Sequence, residues 1–235
     1  MKIAVLGTGM VGQALAGKLS ALGHDVAVGT RDVEATRARA EPDSLGTPSM
    51  STWLESHPGV ELESATQAAA DADLIVNATN GAGSMPMLEL AGEENLAGKV
   101  LVDVSNALDF SQGRPPFLSV ANTDSLGEQI QRRFPQARVV KTLNTMNCQV
   151  MVDPSRVPGE HVVFVSGDDD GAKKQVTGLL ESFGWPSARI RDLGDITSAR
   201  GPEMYLALWL RLWGTVGSGD FNVAVVQART GSESR

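Results

Sequence analysis

A six-residue stretch, Gly7-Thr8-Gly9-Met10-Val11-Gly12, constrains the fold of this chain more than any other feature. Before it, Lys2 to Leu6 is a short apolar run suited to a buried strand. After it, Val11, Leu15, Leu19 and Leu22 recur at helical spacing. The glycines therefore fall where a strand must turn sharply into a helix. Gly7 permits the turn, Gly9 removes the Cβ that would hold a ligand off the backbone, and Gly12 lets helix and strand pack closely. Free N–H groups and the positive end of the helix dipole converge at that point, which suits a pyrophosphate. Gly23 stops the helix and Asp25 to Gly29 reads as the next strand, closing a βαβ unit in about 30 residues. A tight turn without a ligand is the alternative, but both flanks are those of a dinucleotide site.

The alternation continues downstream. Apolar runs at Leu74 to Ala78, Val100 to Val104 and Val139 to Val140 are separated by helix-like segments near Ser64 to Ala70, Met85 to Leu90 and Asp124 to Phe134. This is the pattern of an α/β chain with a doubly wound, Rossmann-type parallel sheet. Glu34 to Ala40 looks helical, and Glu41 to Pro58, rich in Pro, Ser, Thr and Gly, reads as a surface excursion with one short helix. After about Thr145 the pattern restarts: a strand at His161 to Ser166, a helix at Asp169 to Phe183, a strand at Ala188 to Asp192 and an apolar helix at Pro202 to Trp213. The expected division is a dinucleotide-binding domain, residues 1–145, and a smaller C-terminal α/β domain, residues 146–235, completing a cleft. The polar stretch Arg229 to Arg235 is expected to fray.

The end of the second strand discriminates between nicotinamide dinucleotides. NAD enzymes place an Asp or Glu there, roughly 20 residues past the turn, against the ribose hydroxyls. This chain has Gly29-Thr30-Arg31, a hydroxyl and a guanidinium able to hold a 2′-phosphate, so NADP(H) is the expected cofactor. Asp32 is one residue of register away, and Arg37 or Arg39 on the following helix offers a second cation, although a solvated helix face accounts for both. The net charge of −8 makes any phosphate site a local one and argues against nucleic acid or an anionic membrane as partner.

Further segments then carry a resemblance: Asp103-Val104-Ser105-Asn106, Val139-Val140-Lys141-Thr142-Leu143-Asn144-Thr145, and Val165-Ser166-Gly167-Asp168-Asp169. With the glycine turn and Gly29-Thr30-Arg31, they resemble the NADPH-dependent reductases that act on the deazaflavin coenzyme F420, and the related cytosolic reductase domain of the Steap ferric reductases. The resemblance implies hydride transfer directly between nicotinamide and a deazaflavin (coenzyme F420) or a flavin, either one an exchangeable co-substrate. It implies that Gly7, Thr8, Gly9, Met10, Val11 and Gly12 bind the pyrophosphate, and Thr30 and Arg31 the 2′-phosphate. Asn77, Ala78, Thr79 and Asn80 would border the adenosine and pyrophosphate side, with Ser105, Asn106, Asn144 and Thr145 near the nicotinamide. The chain departs from that family at Ala35, near the place of a lysine, and at Asn147-Cys148, where a Pro-Ala pair is usual.

Hydride transfer between two held rings needs no acid–base dyad, and none is evident in the sequence. His24, His57 and His161 are expected at surface positions. Asp168-Asp169-Asp170 is expected to cap a helix rather than bind a metal, and Cys148, the single cysteine, to be buried rather than nucleophilic. With one cysteine and no cysteine–histidine cluster, neither a disulfide framework nor a zinc site is expected. No signal peptide is read at Met1-Lys2, and Met204 to Val216 is shorter than a membrane span, so a cytoplasmic protein is expected. The apolar helix, with Tyr205, Trp209 and Trp213 in one i, i+4 row, must be buried by the domain or by a second subunit, which suggests a homodimer; Trp209 or Trp213 walling a flavin-like ring is the sharper reading. Two other functions are consistent with the motifs: an NADPH-dependent imine or carbonyl reductase, which needs a proton donor near the nicotinamide, and a non-catalytic NADP(H) sensor.

Overall fold

In the computed structural model, which describes residues 1–228, ten strands and ten α-helices follow one another in chain order. The first half contains β1 (Lys2–Leu6), α1 (Met10–Ala21), β2 (Asp25–Thr30), α2 (Val33–Ala38), α3 (Met50–Glu55), β3 (Val60–Ser64), α4 (Ala65–Asp71) and β4 (Leu74–Asn77). Then come α5 (Gly81–Ala91), α6 (Glu93–Leu96), β5 (Val100–Asp103), β6 (Leu108–Asp109), β7 (Phe117–Leu118), α7 (Leu126–Arg133) and β8 (Arg138–Thr142). The last part holds α8 (Cys148–Val152), β9 (Val163–Ser166), α9 (Asp170–Phe183), β10 (Ile190–Asp192) and α10 (Arg200–Val216). The stretch Arg229 to Arg235, expected to fray, lies outside the described residues.

Eight strands form one sheet in the order β10-β9-β8-β5-β4-β1-β2-β3, parallel at every junction except β8–β9. The central strands β4 and β5 are buried at every residue, as strands covered on both faces must be, and this is why they read as unbroken apolar runs. On one face the core runs from Leu15 and Leu19 of α1 through Val140 to Val176 and Phe183 of α9. On the other, Leu6, Ile75, Leu101 and Val139 pack under Ala68 of α4, Leu88 of α5, and Ile130 of α7. From β1 the chain winds one way to β2 and β3 and the other way to β4, β5 and β8. A crevice therefore opens at the carboxyl ends of β1 and β4, where α/β sheets bind ligands.

Residues 146–192 do not make a second sheet. β9 joins the free edge of β8 through Lys141–Ser166 and Thr142–Val165 pairings, and β10 adds beyond it. The edge strand β3 has no counterpart in the sequence expectation, because Val60 and Leu62 are its only apolar residues among Glu61, Glu63 and Ser64. Its alternating burial is that of a strand with one face on the core. The short β6–β7 hairpin was equally invisible, since two residues per strand give no periodicity.

Candidate dinucleotide site

Residues of the glycine turn have the geometry that the sequence implies. Gly7 adopts φ +124°, and a Cβ there would lie 2.7 Å from the Ala78 carbonyl oxygen at the end of β4. A Cβ on Gly12 would stand 2.0 Å from the Gly7 oxygen, so α1 can sit this close to β1 only without a side chain. Gly9 is different: a Cβ there meets nothing within 4 Å, because it faces the open crevice. Gly9 is also the N-cap of α1, supplies no side chain to satisfy the first-turn N–H groups, and is followed by no acidic residue in that turn. Met10 is exposed and Thr8 and Val11 half-buried beside it. A free helix N-terminus with an unobstructed approach fits a pyrophosphate.

Beside the turn, Thr8 and Gly9 share a groove with Thr36, Arg39, Thr47 and Ser49 and with the carboxylates of Glu41 and Asp43. The excursion after α2 forms its far wall, and Gln13 ties that wall to the turn by donating from Nε2 to the carbonyls of Thr8 (3.1 Å) and Pro48 (2.9 Å). Thr47 Oγ1 is buried there with no hydrogen-bond partner among the described residues. Arg31 is exposed at the end of β2, free to meet an anion. Thr30 is buried, and its hydroxyl lies 2.8 Å from that of Thr36, which donates to the Asp32 carbonyl (2.6 Å). The one proton on Thr36 is thus committed, so Thr30 donates to Thr36 and keeps only lone pairs for a neighbour. The Asp32 carboxylate caps α2 through the Ala35 N–H (2.9 Å).

At the other end of the crevice, polar groups stand in register across three strand ends: Asn77 of β4, Asp103 of β5 and Lys141 of β8. Asn77 donates to Asp103 (2.9 Å) and Ser84 (3.1 Å) and accepts from the Thr79 hydroxyl (2.7 Å), while Asn80 caps α5 at Gly83. Ala78 carries the backbone that Gly7 approaches. Ser105 donates to Asp103 (2.6 Å), and its carbonyl accepts from Lys141 Nζ (2.6 Å). Asn106 and Asn144 bridge the ends of β5 and β8: Asn106 Nδ2 donates to the Asn144 carbonyl (2.9 Å) and Asn144 Nδ2 to Asn106 Oδ1 (3.0 Å). Leu143, buried at φ +61°, turns the chain into that bridge, a conformation costly for a residue with a Cβ. Thr145 Oγ1 is buried with no partner among the described residues, a donor left over for something the protein does not supply.

Residues 2–107 match the family described as NADP oxidoreductase coenzyme F420-dependent. The crystal structure of a protein assigned as an F420-dependent NADP reductase from Arthrobacter sp. FB24 is 58% identical, covers 97% of this chain and 100% of that one, and superposes with a TM-score of 0.92. The chain belongs to the F420-dependent NADP oxidoreductase family. Metalloreductase STEAP3 from Rattus norvegicus is 28% identical over 213 residues, which is 90% of this chain but only 37% of the rat protein. An imine reductase from Myxococcus stipitatus in complex with NADP+ shares the fold, with a TM-score of 0.59 at 16% identity over 92% of this chain and 63% of that one. The protein is an NADP(H)-binding oxidoreductase with a Rossmann-like fold.

In this member of the family, sequence reasoning passed over the ion cluster beneath the Asn106–Asn144 bridge. Lys141 Nζ lies 2.8 Å from both Asp103 Oδ2 and Glu203 Oε1, and none of the three side chains is more than 2% exposed. Burial opposes the Lys141 charge, but the two carboxylates outweigh it and hold the ammonium above the ordinary lysine range. The available signal was one opposite charge at the end of each of two apolar runs, Val100 to Asp103 and Val139 to Lys141. Glu203 lies on a distant helix, and nothing local announces it.

Other expectations are corrected or met. His161 is not at the surface: it is buried, with Nε2 3.0 Å from the Pro154 carbonyl and Nδ1 2.9 Å from Asn222 Nδ2, edge-on to Trp185. His57 is half-buried and stacks on Trp53. Asp169 caps α9 at Ala172 (2.6 Å), and Cys148 is buried, which pushes its thiol up. Within one chain, α10 buries only Pro202, Glu203 and Leu206; Met204, Leu208, Trp213 and Val216 are exposed. Trp209 stacks between Trp213 and Phe221. Among the described residues no helix is long and apolar enough to cross a membrane.

Proposed function

We propose that this protein passes a hydride between NADP(H) and a deazaflavin of the coenzyme F420 type, or a flavin, bound as an exchangeable co-substrate over the ends of β5 and β8. The observation that carries this reading is the state of the ionisable groups there. Asp103, Lys141 and Glu203 are buried and bonded to one another, so none is free to give a proton to a substrate. Hydride transfer between two rings needs none; it needs position and a dry wall.

NADP(H), when bound, supplies the hydride chemistry itself. The free N–H groups of α1 take the pyrophosphate, and Arg31, joined by Arg39 from the groove beside Thr36, takes the 2′-phosphate. The Asn106–Asn144 bridge and the unpartnered Thr145 hydroxyl hold the nicotinamide end, and Leu143 and Met146 keep water from behind it. Tyr205, the single tyrosine, is half-buried on α10, and burial pushes its phenol up, which makes it a poor acid for an imine or carbonyl substrate. The name borne by the Arthrobacter relative points the same way.

The test is NADPH consumption with coenzyme F420, FMN, FAD, a ferric chelate and a panel of imines. Turnover with the deazaflavin or a flavin is expected; turnover with imines alone, or tight NADPH binding with no turnover, overturns the proposal. The reading includes a homodimer through α10, whose exposed row Met204, Leu208 and Val216 carries no charge, and sedimentation at micromolar concentration should find two copies.

A further inference from the structure

We propose that the buried Asp103–Lys141–Glu203 cluster sets the redox balance of the bound nicotinamide, by placing one uncompensated negative charge beneath the strand ends where the ring sits. The proposal rests on the nicotinamide placement given above.

The charge count follows from the hydrogen bonds. Asp103 accepts from Asn77 Nδ2, Ser105 N, Ser105 Oγ and Lys141 Nζ. Glu203 accepts from Leu126 N (2.7 Å), Gly127 N (3.0 Å) and Lys141 Nζ (2.8 Å). Every partner of both carboxyl groups is a donor, so both are held as carboxylates, against a single ammonium. The start of α7, whose N–H groups Glu203 receives, offsets part of the excess through its dipole. Arg200 does not offset the rest, because it is paired with Glu128 (2.8 Å). The cluster is sealed from water, so little screens it. It also touches the site directly, since the Ser105 carbonyl that Lys141 holds immediately precedes Asn106.

The nicotinamide ring is neutral in NADPH and carries a positive charge in NADP+, the hydride leaving with both electrons for the acceptor. A fixed negative charge beneath the ring favours the cationic form. The cluster therefore tightens NADP+ relative to NADPH and makes the bound reduced form a stronger hydride donor. A carboxylate-to-amide change removes the excess charge, and at an effective dielectric near 20 a unit charge roughly 12 to 17 Å from the ring is worth about fivefold to tenfold in the ratio of the two dissociation constants.

Titration calorimetry of NADP+ and NADPH on the full chain tests this without any turnover. Glu203→Gln is expected to raise Kd(NADP+)/Kd(NADPH) about fivefold to tenfold, and Asp103→Asn to raise it in the same direction. Lys141→Met brings two carboxylates together, so one takes up a proton and the net charge stays the same; its ratio should remain within about twofold of wild type despite lower stability. A cluster that only braced the fold would weaken both nucleotides equally, and an unchanged ratio in Glu203→Gln and Asp103→Asn overturns the proposal. If the carboxylate variants do not fold, the wild type decides: NADP+ bound more tightly than NADPH supports the proposal, and the reverse order overturns it. A wild type that binds neither nucleotide overturns the site reading as well, which distinguishes the two failures.

Discussion

The two ends of the crevice are built on opposite principles. The end at β1 and β2 is made of backbone and open space: Gly7 and Gly12 work by lacking a Cβ, Gly9 faces nothing, and Arg31 is exposed. The end at β5 and β8 is made of buried side chains bonded to one another, from Asn77 through Asp103 and Lys141 to Glu203 on a helix 62 residues further on in the chain than Lys141. A phosphate is bound well by exposed N–H groups and flexible cations, whatever lies behind them. A ring that must exchange a hydride needs a fixed, dry floor, and a network whose charged members are all paired gives one.

Four measurements would break or sharpen that contrast. The largest effect belongs to Gly12→Ala, whose new methyl must displace the Gly7 carbonyl. A loss of about 3 kcal/mol or more is expected in chemical denaturation, and a loss under about 1 kcal/mol would show that β1 and α1 can part without harm. Gly9→Asp should separate binding from folding. It has room for a side chain, so its melting temperature should hold, while NADPH affinity by calorimetry falls about 100-fold through like-charge repulsion at the pyrophosphate.

Arg31→Glu is expected to lower the preference for NADPH over NADH about tenfold to 100-fold in kcat/KM. An unchanged preference would move the 2′-phosphate to Arg39, which lines the groove beside Thr36. The smallest effect is that of acid on the end at β5 and β8, where α7 meets α10. Hydrogen bonds from Arg132 push Asp124 down to about 2 from 3.8, and hydrogen bonds from Arg200 lower Glu128 below its usual range. Carboxyls depressed by folding add stability above their unfolded values and lose it as pH falls through the folded ones. Between about pH 4.5 and 2, amide exchange should therefore quicken at α7 and the start of α10 before it does at α1, which carries no carboxylate. Simultaneous loss would mean that the two ends unfold as one.

The contrast also explains how much could be read in advance. The βαβ unit, the parallel sheet and the glycine turn were legible because each rests on local periodicity or on a missing side chain. Thr30 shows the limit: its residue type was right for a phosphate, but its proton goes to Thr36, a contact that only the turn into α2 creates. His161 shows it again, since its burial depends on residues 222–224 returning across the start of β9. The strand β3 was missed because an edge strand with three polar residues in five resembles a loop.

What the sequence determined by itself was therefore the dinucleotide turn, the doubly wound sheet and the apolar strands beneath the crevice. These follow from steric exclusion and from burial repeating along a few neighbouring residues. Tertiary structure alone decided that residues 163–192 extend the same sheet, that Gln13 ties the excursion to the turn, and that Lys141 meets Glu203. Those outcomes depend on which distant groups satisfy one another once water is gone, and no local pattern in the chain records that choice.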